Sequence, residues 1–176
     1  MHALNLIVKN ALRHKLRTAL VRPEREALGQ AVEIDEAFVG SKRGGKSLVL
    51  VATETDAKTG QGRVRMAQAE NNDAETIKRF ADRDVAPEAS VTTDGHKGYN
   101  ETSLGERPHD AIVQTKAERA EADALQRAHW AISLLKRWLL GTHGQAVSMK
   151  HLQAYLDEDV FRYNRRKPNG VARIAA

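Results

Sequence analysis

The 176-residue sequence contains no cysteine. Disulfide scaffolds and zinc–thiolate sites are excluded, while a metal site built from histidine and carboxylates stays open. Long apolar runs are lacking too. The longest, SLVLVA at residues 47–52, falls well short of the roughly 20 residues that cross a bilayer and reads as a buried strand. The N-terminal stretch MHALNLIVKNALRHKLRTAL has no continuous apolar block, because basic residues interrupt it throughout. A secretory signal is therefore not expected, and the chain reads as cytoplasmic, with no membrane partner. Internal repeats and low-complexity tracts are absent as well.

What is present suits one domain with short helical extensions. A hydrophobic fraction of 41% is enough for a single core, and 29% charged residues is ordinary. The charge is unevenly placed. Residues 1–30 hold six Lys/Arg against two Asp/Glu, residues 136–176 hold eight against three, and the middle holds fourteen against eighteen. Basic ends around an acidic centre fit a polyanion-binding surface around a carboxylate site. Charge alone fits solvated basic helices equally well.

The apolar pattern sets the order of elements. A first helix is predicted over residues 4–20, ending before Pro23. VEIDEAFVG (32–40) alternates like a half-buried strand, SLVLVATE (47–54) reads as a central strand, and RVRMAQAE (63–70) alternates again. Asn72 or Asp73 can cap a helix that places Thr76, Ile77 and Phe80 on one face. Short strands follow in SVTTD (90–94) and DAIVQT (110–115). A long helix is predicted over residues 118–140 and a last one over 148–163. The first three strands, joined by short turns, should form an antiparallel meander. The fourth and fifth extend the sheet through crossovers. The expected fold is α/β, a mixed five-stranded sheet flanked by helices.

Two acids stand out. Asp35 interrupts a good strand, where aspartate is disfavoured, and Asp94 closes the fourth strand before Gly95. Singly, each reads as a turn cap or a solvent-facing acid. Together, at the ends of neighbouring strands, they can hold a divalent ion. On the long helix, His129 and Lys136 are seven residues apart (136 − 129 = 7) and share a face. Either alone is an ordinary helix residue.

VEIDEAFVG, VTTDGHKGYN, HWAISLLKRWLLGTHG and HLQAYLDEDVFRYNRR, in that order over residues 32–166, resemble motifs of the DDE-superfamily transposases of bacterial insertion sequences. The resemblance implies a ribonuclease-H-like domain at 31–166, with a helical remnant and linker at 1–30 and a tail at 167–176. It implies Asp35 and Asp94 as the two aspartates and His129 as the third metal-site residue. Lys136 then completes an Asp-Asp-His-Lys pattern and sits where it can contact a phosphate. Two divalent ions, Mg²⁺ or Mn²⁺, are the implied cofactors. DNA, both transposon ends and target, is the implied partner, bound by a homo-oligomer. Arg137, His143, Arg162, Asn164, Arg165 and Arg166 are further DNA-contact candidates.

Members of the group usually carry a zinc ribbon and a helix-turn-helix before this domain. With no cysteine and about 30 residues ahead of the first strand, the chain reads as truncated there. A non-catalytic DNA-binding remnant able to inhibit the full-length enzyme and a stand-alone nuclease are the alternatives. No serine or tyrosine recombinase constellation is evident. Tyr99 reads as a packing or DNA-contact residue and Trp138 as core.

Overall fold

The computed structural model describes residues 12, 15–17, 19–21, 24–41, 45–56, 60, 62–143 and 149–166. Three strands, β1 (Ala31–Ser41), β2 (Gly45–Thr55) and β3 (Val64–Ala69), form an antiparallel meander. Helix α1 (Ala74–Asp84) leads to β4 (Ser90–Thr93). A one-turn helix, α2 (Glu101–Leu104), then leads to β5 (His109–Ala111). β4 and β5 run parallel to β1, giving the order β3-β2-β1-β4-β5. Helices α3 (Lys116–Glu121), α4 (Gln126–His143) and α5 (Leu152–Asn164), the last entered through a 3₁₀ turn at Met149–His151, complete the chain. The mixed five-stranded sheet flanked by helices is the one expected from the sequence.

Strand alternation divides the core between two faces. On one, Val32, Ile34, Leu50 and Ala52 meet Ile77, Phe80 and Ala81 of α1. On the other, Ala37, Val39, Val49, Val51, Val64 and Met66 meet Ala131, Ile132, Leu135 and Leu139 of α4 and Leu152, Leu156 and Val160 of α5. α1 forms because Asp73 caps it, its carboxylate accepting from Thr76 N at 2.8 Å. Beyond Val85, Pro87 stands outside the helix.

Three expectations need correction. The single long helix is two, α3 and α4, separated at residues 122–125. Thr115 and Glu118 cap α3 reciprocally. Gln114 then holds the break open, donating to Ala122 O at 2.6 Å and accepting from Ala124 N at 2.9 Å. β5 ends early, at Ala111 rather than at residue 115. The last helix begins as a 3₁₀ turn. Of the predicted first helix, residues 12, 15–17 and 19 are described and helical, Leu20 is a turn, and the rest lies outside the described residues. Arg17 in that segment bonds Glu158 at 2.7 Å and lies 4.3 Å over the Tyr155 ring, both on α5. Among the described residues, no helix is long and apolar enough to cross a membrane.

Candidate active site

Odd-numbered residues of β1 face α4, and two of them, Glu33 and Asp35, are acids that are 5% and 9% exposed. Burial, above all, pushes the Asp35 carboxyl up from the usual range. The Glu36 N–H, 2.8 Å from its Oδ1, and His129 pull it back, while the carboxylates of Glu36 and Asp94 push it further up. Asp35 is thus a desolvated acid among like charges.

Asp94 reaches the same place by register. β1 and β4 pair Glu33 with Thr92. Two residues on from each stand Asp35, within β1, and Asp94, just past the end of β4, and the Asp94 charge is felt at the Asp35 carboxyl. Gly95 turns the chain immediately afterwards at φ +80°, where a Cβ would lie 2.7 Å from Val113. His96 N donates to Asp94 Oδ1 at 2.9 Å. Behind the loop, the buried Tyr99 donates to Glu36 Oε2 at 2.6 Å, and Asn72 donates to Glu36 Oε1 at 3.1 Å. Tyr99 is therefore a packing residue that ties the Asp94 loop to β1.

Glu33 places the third side chain. Its Oε2 accepts from the backbone N–H of Arg127 at 2.8 Å and of Ala128 at 2.9 Å, and Oε1 pairs with the Arg127 guanidinium at 2.8 Å. It thereby caps the N-terminus of α4, a favourable place for a carboxylate. The next residue, His129, directs Nε2 to Asp35 Oδ2 at 3.3 Å. Its other nitrogen, Nδ1, lies 2.6 Å from Asp123 Oδ2 in the break before the helix. His129 at the start of α4 and Asp35 on β1 thus come together, and Asp94, just past the end of β4, is near enough for its charge to push the Asp35 carboxyl up.

The model of the ISXO2-like transposase domain family matches residues 27–164. The chain belongs to that family. No curated protein matches it. A solved structure of the HTLV-2 integrase catalytic core domain, in complex with magnesium and in a trimeric form, is similar at 15% identity and a TM-score of 0.48, covering 84% of this chain and 95% of that one.

The transposase domain treats the remaining candidates unequally. Lys136 and Arg137 are exposed on α4. His143 closes that helix, and its side chain lies outside the described residues. Arg162 is exposed but bonded to Glu158 at 2.8 Å and lies 5.8 Å over the Trp138 ring. Arg165 stacks on Phe161 at 3.7 Å and Arg166 on Tyr163 at 3.9 Å. Asn164 is engaged internally: it accepts from Val64 N at 2.7 Å and donates to Val64 O at 3.2 Å, holding α5 on the edge of β3. A cavity between residues 20–21 and 24–26, β3 and α5 contains none of the three site residues, and its buried Arg65 is bonded to backbone carbonyls of Val64 and Glu26.

Among the described residues, no three His, Asp or Glu side chains form a ready cluster around an ion. The donors nonetheless fit one. Cis ligands on an octahedral ion with bonds of about 2.1 Å stand about 3 Å apart, and His129 Nε2 and Asp35 Oδ2 are 3.3 Å apart. A cation there would also relieve the crowding of Asp35 by Glu36 and Asp94. Sequence reasoning missed Glu33 and Asp123. The signal for Glu33 was a second acid on the inward face of β1, two residues before Asp35.

Proposed function

We propose that this chain is a transposase catalytic domain that cuts DNA and joins the freed end to a target, with Asp35, Asp94 and His129 holding divalent metal. The observation that carries this reading is the 3.3 Å approach of His129 Nε2 to Asp35 Oδ2, beside the charge of Asp94, in a chain of this transposase family. In the first step, water attacks a phosphodiester, the bond to the 3′ oxygen breaks, and a 3′-hydroxyl is freed. In the second, that hydroxyl attacks a target phosphodiester and displaces a 3′ oxygen there. Divalent metal, when bound, supplies activation of the attacking oxygen and stabilisation of the leaving one.

The protein groups have separate tasks. Asp35 and Asp94 offer oxygen ligands on neighbouring strands. His129 offers a nitrogen ligand from the helix. Lys136 lies two turns further along that helix, exposed, where it can hold a backbone phosphate. Arg137 and Arg162 extend the basic surface. Replacing the usual carboxylate by imidazole removes one negative charge, which favours manganese over magnesium, since magnesium prefers hard oxygen donors.

The test is cleavage and strand transfer of labelled DNA with Mg²⁺ or Mn²⁺. Asp35→Asn and Asp94→Asn are expected to reduce both products to background. The wild type is expected to work better with Mn²⁺, and His129→Glu to shift the preference toward Mg²⁺. Full activity in Asp35→Asn would overturn the proposal. Cleavage without strand transfer would leave a nuclease in its place.

A further inference from the structure

We infer that Asp123 is a positioning residue for the metal site, holding the His129 ring so that Nε2 faces Asp35. The inference rests on the metal-site reading above and deepens it. A neutral imidazole has one N–H and one lone pair, and a metal needs the lone pair. Which nitrogen keeps the hydrogen is set by the stronger acceptor. Asp123 Oδ2 lies 2.6 Å from Nδ1, whereas Asp35 Oδ2 lies 3.3 Å from Nε2. The shorter, charge-assisted bond keeps the hydrogen on Nδ1 and leaves the Nε2 lone pair toward Asp35 and the site. Carboxylate–imidazole pairs of this kind orient metal-ligating histidines and raise their basicity.

The Asp123 carboxylate is itself held. Its Oδ1 accepts from Leu125 N at 3.1 Å. The residues on either side of it are bound to Gln114: Ala122 O accepts from the Gln114 amide, and Ala124 N donates to its carbonyl. The break between α3 and α4 thus has a use. A continuous helix would place residue 123 six positions before His129 (129 − 123 = 6), well over one turn away and round a different side. The turn at residues 122–125 brings its carboxylate back to the ring.

The experiment uses the full chain, without DNA, and Mn²⁺ alone as probe. Affinity is read from the free-ion resonance signal for wild type, Asp123→Ala, Asp123→Asn and His129→Ala. Nitrogen-resolved NMR of the metal-free protein at alkaline pH reads the His129 tautomer. The wild-type ring is expected to carry its hydrogen on Nδ1. Asp123→Ala should lose that preference and bind Mn²⁺ about 10- to 100-fold more weakly. Asp123→Asn, whose amide oxygen still accepts from Nδ1, should recover most of the loss. A weaker Mn²⁺ affinity in His129→Ala with none in Asp123→Ala would overturn this inference alone, as would a wild-type ring protonated on Nε2. An unchanged affinity in His129→Ala would overturn the metal-site reading and this inference with it.

Discussion

Asp159 on α5 is 7% exposed, and its Oδ2 has no hydrogen-bond partner among the described residues. Burial pushes its carboxyl up to about 6, with Arg162 pulling it back and Glu158 pushing further. An acid whose folded-state value is raised binds its proton more tightly folded than unfolded. Its favourable contribution is complete below the unfolded value near 4 and is lost as pH rises through about 6. At neutral pH the ionised form costs up to about 3 kcal/mol. Asp159→Asn is therefore expected to raise stability at neutral pH and to flatten its pH dependence between about 4 and 7. Urea unfolding of both proteins across that range checks it, and parallel pH profiles would count against it. Asp159 was invisible in the sequence because DED at residues 157–159 looks like a solvated helix face. Asp35 and Asp94 were legible for the opposite reason: each breaks a local rule, an acid inside a strand and an acid at a strand end before glycine.

At the scale of elements, the five strands and the antiparallel meander of the first three followed from alternation and short turns, since both are local properties. The division of α3 from α4 did not, because it depends on Gln114 bonding to residues eight and ten positions away. Nor did the docking of α4. Glu33 meets the Arg127 backbone across 94 positions of sequence, a separation at which no local pattern speaks. That contact joins the strand carrying Asp35 to the helix carrying His129. Removing a carboxylate that caps a helix typically costs about 0.5–2 kcal/mol, and here the Arg127 guanidinium loses its partner as well. Glu33→Ala is expected to destabilise the fold by about 2 kcal/mol in chemical denaturation. Glu33→Gln keeps an oxygen acceptor and should lose less. Equal losses in the two variants would show that shape rather than capping matters at that position.

For the whole molecule, the two faces of the sheet divide the work. α1 covers one and closes a core. α4 and α5 cover the other, and the acids sit where that cover ends. The described basic residues of α4 and α5 belong to this second layer, but their charge is not equally free to meet DNA. Arg162 shares the Glu158 carboxylate with Arg17. Arg166 donates to the carbonyls of Tyr163 and Gly62 at 2.7 and 3.3 Å while stacked on an aromatic ring. Lys136 and Arg137 are exposed on the helix that carries His129. Each phosphate neutralised by a cation releases counterions, and the slope of log affinity against log salt is about −0.9 per contact. Lys136→Ala with Arg137→Ala is therefore predicted to make that slope shallower by about 1.8 on duplex DNA. Arg162→Ala, removing a charge already shared with Glu158, should change it by less than about 0.9. Fluorescence titrations of labelled duplex at several salt concentrations give both slopes. The prediction is specific about place: it fails if the paired α4 substitutions leave the slope where it was while Arg162→Ala shifts it, for then DNA would lie over α5 and away from the acids.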